Sequence, residues 1–532
     1  MQAQALALEN PLAADFTLSD EKFADLKVTL ASHEVRGMTH SHVEAMLEVQ
    51  GRELLRRMYQ DYVDLRRAQE GELGVEGPVV GADGVVRTDL RDSDRGLGSV
   101  FGDVRVERVA HHTPGSTSLH PLDAALNLPG DKYSFGVRRR AAIEATRGSF
   151  DQARDSIVTT TGSRICKRQV EQLVVRAARD FTAFYDGRAV PEPSVATQLS
   201  DLLVITTDGK GVVMRRNSLR PATARAASKE QHKLTRRLSK GEKKNRKRMA
   251  QVAAVYTIAP FPREPEDIIS ELDRREQPTP LAPRPRPERK RVWASLEHEA
   301  AAVIGAAFDE ARRRDPQRSK TWVALSDGNE EQLWLLEKLA VDNGVRITIV
   351  LDLIHVTEYL WKATTVFNRE GSPEAEAWVT ERVLNVLRGK AVHVAAGIRR
   401  SATKRGLAAA ARKPADKCAD YLLKYAGYLR YHEYLAAGLP ISTGVIEGAC
   451  RHLVKDRMDI TGARWDLICA EAVLKLRALR SSGDFDEYWT FHERLEQQRN
   501  HAERYANAEI PPMVQPTPPP TRGRRRHLSL VP

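Results

Sequence analysis

Leu202-Leu203-Val204-Ile205-Thr206-Thr207-Asp208-Gly209-Lys210-Gly211 is the stretch on which the fold of this 532-residue chain turns. Six apolar or β-branched residues in a row read as a buried strand that ends at an Asp-Gly step. Val212-Val213-Met214-Arg215 reads as its hairpin partner, and Val252-Ala253-Ala254-Val255-Tyr256-Thr257-Ile258 as a third strand. Farther on, residues 321–325 form a strand closed by Ser326-Asp327-Gly328, residues 330–341 a helix, and residues 345–351 a strand closed by Asp352. Strand, helix and strand at this spacing predict a parallel βαβ unit, and with it an α/β core.

Outward from this core the periodicity changes. Residues 1–75 carry apolar residues at three- and four-residue steps and read as an N-terminal helical region. Residues 76–190 begin as a small β unit around Val79, Val85, Val104, Val106 and Val109 and turn helical from 133. Within them, Ser149 reads as an N-cap, Thr161-Gly162 as a break, and 164–184 as a long basic helix carrying Arg164, Lys167 and Arg168. Short helix, turn and basic helix make a helix-turn-helix candidate, with an ordinary helical bundle as the alternative. The core is expected to span 198–355, interrupted by a basic insertion at 215–250 and a Pro-rich loop at 260–290. An amphipathic helix is expected at 292–311. A helical insertion follows at 356–440, then Glu-bearing core helices at 441–500, and a disordered tail at 501–532.

The net charge is +12, from 83 Lys+Arg against 71 Asp+Glu. Between Arg215 and Arg248 stand 14 Lys/Arg and 2 Asp/Glu, so this one segment holds an excess equal to the whole net charge. Lys243, Lys244, Arg246, Lys247 and Arg248 close it and suit a phosphate-rich partner. A hydrophobic fraction of 41% excludes wholesale disorder. No apolar run approaches the roughly 18 residues of a membrane span, and no signal peptide is evident at the start. The four cysteines form no CxxC, which suits a reducing cytoplasm.

Asp208 and Asp327 each follow an apolar strand, on the edge where open α/β sheets bind ligands. Glu447 lies far downstream on a helix whose spacing puts Arg451 and Lys455 on the same face. Carboxylates gathered from separate elements repel and call for a cation. Two hard divalent ions, Mg2+ or Mn2+, would neutralise them and clamp the attacking and leaving oxygens of a phosphodiester. In Asp352-Leu353-Ile354-His355 an acid and an imidazole follow a strand at a fixed offset, and His355 suits a phosphate contact, carboxylate orientation or base stacking. Each motif also has a plain reading. Asp-Gly is a common turn, Glu447 with Arg451 an ordinary ion pair, and His355 a structural histidine.

The order Asp208-Gly209, Ser326-Asp327-Gly328, Asp352-x-x-His355, helical insertion and Glu447 resembles that of DDE transposases with an RNase H-like core, in their Mutator-like Asp-x-x-His branch. Gly444-Val445-Ile446-Glu447-Gly448-Ala449-Cys450-Arg451-His452-Leu453-Val454-Lys455-Asp456-Arg457 and the following residues to Trp465 are similar to the glutamate motif of bacterial insertion-sequence transposases of the ISKra group. Pro121-Leu122-Asp123 and Leu126-Asn127-Leu128-Pro129 share that likeness. The resemblance covers about residues 90–500.

It implies two Mg2+ (or Mn2+) ions held by Asp208, Asp327 and Glu447, with Asp352 as the alternative second ligand and His355 beside them. It implies strand cleavage at an element's end and attack of the freed 3′-hydroxyl on target DNA. Lys210, Arg451, Lys455 and the basic segment are expected to meet phosphates, and Trp465 to stack on a base. The partners are then the terminal inverted repeats and target DNA, bound by a homodimer or larger assembly in the cytoplasm, at the nucleoid. An RNase H-like nuclease without strand transfer and a non-catalytic, domesticated DNA-binding protein are the competing readings.

Overall fold

The computed structural model describes residues 16–188, 201–229, 242–243, 245–272, 283–460 and 462–514. The chain divides into two compact units, one built from residues up to 180 and from 487 onward, the other from 181–486.

The first unit opens with helices α1 (Thr17–Ala31) and α2 (His40–Leu73). A hairpin follows, β1 (Asp89–Ser99) and β2 (Gly102–His112), antiparallel from Asp89↔His112 to Ser99↔Gly102. Val104 and Val106 of β2 and Leu97 of β1 bury against Val63 of α2 and Leu128. The β1 strand escapes sequence reading because most of it is polar and exposed, and only its last three residues are buried.

Helices α3 (Phe135–Arg147), α4 (Phe150–Thr160) and α5 (Lys167–Ala177) pack on one another. Ser149 caps α4 in a capping box with Gln152, as its sequence requires. On α5, Val170, Leu173, Val174 and Ala177 form the buried stripe at helical spacing. The single helix expected over 164–184 is corrected. It starts at Lys167 and stops at Ala177, and Phe181–Gly187 is a separate short helix of the second unit.

The second unit holds a five-stranded mixed sheet in the order β5-β4-β3-β6-β7, formed by β3 (Leu202–Val213), β4 (Lys247–Ile258), β5 (Glu288–Ser295), β6 (Thr321–Ser326) and β7 (Ile347–Leu351). β4 runs antiparallel to both neighbours, while β3, β6 and β7 are parallel. The α/β expectation and the parallel βαβ unit hold. The first hairpin does not. β3 passes straight through Asp208-Gly209, with Asp208 opposite Val252 and Val213 opposite Lys247. A tight hairpin turn needs positive φ, and Gly209 is absent from the residues that adopt it. The third expected strand is therefore β4, the direct partner of β3.

A second correction concerns residues 292–311. Val292-Trp293-Ala294-Ser295 belongs to edge strand β5, paired with β4 through Val252↔Ala294, and helix α6 begins at Ala300 and ends at Arg314. Helix α7 (Glu330–Asp342) links β6 to β7. After β7 comes the expected helical insertion: α8 (Leu353–Thr364), α9 (Pro373–Leu387), α10 (Ala391–Lys404) and α11 (Ala409–Lys424). Helix α12 (Gly444–Ala449) then widens into a π-helical turn over Cys450–Lys455, and α13 (Leu467–Ser482) packs on β5.

The basic segment joins β3 to β4. It holds a 3-10 turn at Arg216–Ser218 and a helix at Pro221–Ser228, and its last residues, Lys247 and Arg248, lie on β4 itself. Residues 230–241, Lys244 and 515–532 fall outside the described residues, and the tail expected to be disordered over 501–532 is corrected for its first part, where Ala502–Arg504 and Ala506–Ala508 form 3-10 turns and His501 and Tyr505 are buried. Among the described residues no helix is long and apolar enough to cross a membrane.

Candidate active site

Sheet register builds the site. Thr206 of β3 lies beside Leu325 of β6, and Leu325 lies beside Val350 of β7. Two residues farther along each strand stand Asp208, Asp327 and Asp352. A step of two returns a side chain to the same side of a strand, and adjacent strands lie about 4.8 Å apart. Three carboxylates therefore stand at neighbouring register positions, Asp208 within β3 and Asp327 and Asp352 each one residue past the end of β6 and β7.

The three differ in what they bind. Asp352 is fully buried and caps α8. Its Oδ1 accepts from the backbone N–H of Ile354 at 3.1 Å and of Thr443 at 3.2 Å. Its Oδ2 accepts from the Thr443 hydroxyl at 2.7 Å and lies 3.0 Å from His355 Nδ1. Two carboxylate oxygens offer about four acceptor positions, so this carboxylate is filled. Asp327 is half-buried, and its Oδ1 accepts the Asn329 N–H at 2.9 Å, which sets the turn into α7. Asp208 accepts its neighbour Gly209's N–H on Oδ1 at 2.6 Å, and on Oδ2 it takes the Cys450 thiol at 3.0 Å.

Glu447 reaches Asp352 and His355 from α12, one turn beyond Thr443. Ligand atoms of Asp352, His355 and Glu447 all lie within 4.8 Å of one another, with the Glu447 side chain open to solvent. Desolvation raises the Glu447 carboxyl above its ordinary value, and the charges of Asp352 and Asp208 push the same way. The hydrogen bond that His355 gives to Asp352 lifts its imidazole to about 9, helped by the charge of Asp327. At neutral pH His355 is therefore an imidazolium among carboxylates. The Cys450 thiol is pushed well up, first by burial and then by Asp208, so it stays protonated and donates.

The donor set fits a hard divalent cation. Asp208, Asp327 and Glu447 offer carboxylate oxygens that other groups do not exhaust, and the repulsion between Glu447 and Asp208 is what a cation relieves, although the ligand atoms that converge within 4.8 Å are those of Asp352, His355 and Glu447. Asp352 fits less well. A metal there would have to displace a hydrogen bond from a filled carboxylate, and His355 in its protonated form has no lone pair to give.

The remaining expected residues fall into three groups. Lys210, two residues beyond Asp208 on β3, shares its side of the strand, while Arg451 and Lys455 are exposed on the π turn. Glu447 makes no ion pair with Arg451 among the described residues, and the widened turn breaks the expected common face. Lys243 and Lys247 are exposed; Lys244 lies outside the described residues. Arg164, Lys167 and Arg168 are exposed in the first unit, Lys167 paired with Asp151 at 2.7 Å.

Three expectations of DNA contact are corrected. Trp465 is 5% exposed, its indole N–H donates to the Met458 carbonyl, and Arg457 covers its ring. Its backbone pairs with Val213 and Arg215, so it locks the Glu-bearing segment to the end of β3 rather than stacking on a base. Arg246 is buried. Arg248 gives its Nε to the Leu296 carbonyl and Nη1 to the Ser218 carbonyl, which makes it a brace of the fold.

Sequence reading missed several supporting residues. Thr443 stands at the N-cap of α12, but its side chain makes no cap hydrogen bond and binds Asp352 instead. The Tyr425 hydroxyl donates to the Gly328 carbonyl, and Tyr421, stacked on Tyr359 with ring centroids 4.1 Å apart, lies against the same glycine. Only the tyrosine-rich run 421–434 hinted at this. Cys450 gave no signal beyond its place three residues after Glu447.

A second acid–histidine group, Asp180, His492 and Glu496, lies in the first unit. Arg499 and His492 bind Asp180, while Arg138 and Arg499 bind Glu496, so arginines already neutralise it.

Set against known proteins, the chain matches no protein-family model and no curated protein in sequence.

Proposed function

We propose that this chain is a DDE-type DNA transposase acting on the ends of an insertion sequence. One observation carries the reading: the register of β3, β6 and β7 brings Asp208, Asp327 and Asp352 to neighbouring positions, and Glu447 meets Asp352 and His355 from beyond a helical insertion. The mixed five-stranded sheet is compatible with the RNase H-like core that the resemblance implies.

In this reading Asp208, Asp327 and Glu447 hold the cations, and Asp352 fixes the geometry around them. Bound there, two Mg2+ or Mn2+ ions supply Lewis-acid activation of the attacking and leaving oxygens of a phosphodiester. The protein's own contribution is position. The body of β3 sets Asp208, the end of β6 sets Asp327, and the Asp352–Thr443 bonds set where α12 presents Glu447. His355, charged at neutral pH, would offer a donor to a DNA phosphate. Lys210, Lys243, Lys247, Arg451 and Lys455 supply exposed or half-exposed positive charge along the approach. The α3–α4–α5 trio, with Arg164, Lys167 and Arg168 exposed, is the candidate reader of terminal repeats. Two ends must be brought together for transposition, so the working form is a dimer or larger assembly on DNA.

The test uses duplex DNA spanning the boundaries of the element that carries the gene. Wild-type protein with Mg2+ is expected to nick at the boundary. Asp208→Ala, Asp327→Ala and Glu447→Ala are each expected to bind the duplex and leave it intact. Full cleavage by Glu447→Ala refutes the assignment.

A further inference from the structure

We propose that Cys450 is a positioning residue: its thiol ties Asp208 on β3 to the helix that carries Glu447, so the two carboxylates are set at a fixed separation. The inference rests on the metal-site reading above and deepens it. Cys450 lies three residues after Glu447, which places both on one side of the helix. Its Sγ lies 3.0 Å from Asp208 Oδ2. The carboxylate can only accept, so the thiol donates. The other oxygen of Asp208 takes the Gly209 N–H at 2.6 Å. Each oxygen thus carries one donor and keeps one lone pair for a cation.

The chemistry of the position is narrow. Cys450 is buried, 5% exposed, and it opens the π turn that runs to Lys455. A lysine or arginine there would pair with Asp208 and cancel the charge that draws a metal. An apolar residue would leave Asp208 free to swing away from Glu447, which repels it. A small neutral donor holds the acid without neutralising it. Arg477 supports the same turn, giving its Nε to the Leu453 carbonyl at 2.7 Å and a guanidinium N–H to the His452 carbonyl. The wide turn is thereby fixed at the point where the thiol must reach the strand.

The test is calorimetric binding of Mn2+ to the full chain without DNA, on wild type, Cys450→Ala, Cys450→Ser and Asp208→Ala. Thermal unfolding of each variant reads stability separately. Cys450→Ala is expected to weaken Mn2+ binding about tenfold, the size of one hydrogen bond to a charged group. Cys450→Ser keeps a donor and is expected to bind as wild type does. Two results overturn the proposal: Cys450→Ala binding Mn2+ like wild type, or serine and alanine weakening it equally, which is the signature of packing alone. Asp208→Ala separates this from the larger claim. Loss of binding in Asp208→Ala with none in Cys450→Ala removes only the role of Cys450. Equal binding by wild type and Asp208→Ala removes the metal site itself, and the role of Cys450 with it.

Discussion

Asp327 and Asp352 occupy equivalent places on neighbouring strands, yet their surroundings assign them opposite work. Asp352, fully buried and taking four donors, is a structural anchor. Asp327, half-buried, takes one backbone donor and keeps acceptor positions open. Asp352→Asn puts an amide against donors and is expected to destabilise the protein by about 2 kcal/mol, seen in chemical denaturation. Asp327→Asn should leave stability unchanged and abolish metal-dependent cleavage. His355 makes a pH-dependent contribution of definite sign. Its folded value of about 9 stands above the ordinary 6.5. The stability it adds is fully present below 6.5 and is lost as pH rises through 9. His355→Gln should flatten the fall of the urea midpoint across that window; an unchanged slope would show that the imidazolium–Asp352 pair is not its source.

At the scale of elements, β3 decides most of the design. The apolar run from Leu202 was legible as a strand, and so were β6, α7 and β7, because each combines a strong period with a clear stop. The Asp-Gly step misled, since a turn and a strand position that faces a ligand use the same two residues. Only pairing with β4, on the far side of the basic segment, distinguishes them. The site was legible to a similar extent. Asp208, Asp327, Asp352, His355 and Glu447 stand out by their places after strands or in a motif. Thr443 and Cys450 do not, because hydrogen bonds to residues 91 and 242 positions away leave no local pattern. The basic connection divides on the same principle. Lys243 and Lys247 point to solvent, whereas Arg248 braces the fold. Lys243→Gln with Lys247→Gln should weaken DNA binding and reduce its logarithmic salt slope by about two. Arg248→Ala should lower the unfolding midpoint instead.

On the scale of the whole molecule, the net charge of +12 has a definite address. The excess lies in the connection between β3 and β4, and β3 carries Asp208. The first unit supplies a separate helical trio with its own exposed cations, in which Ser149 caps α4 as its sequence specified. In the proposed reading, such a chain would hold nucleic acid by this charge and act on it by its carboxylates. What separates a transposase from a nuclease on such a scaffold is the fate of the 3′ end.

The most direct measurement gives the protein a labelled, pre-cleaved element end with a free 3′-hydroxyl, together with supercoiled plasmid and Mg2+. Wild type is expected to join the label covalently to the plasmid, while Asp208→Ala, Asp327→Ala and Glu447→Ala yield no joined product. Degradation of both DNAs without joining, or joining that survives loss of Glu447, would contradict the account.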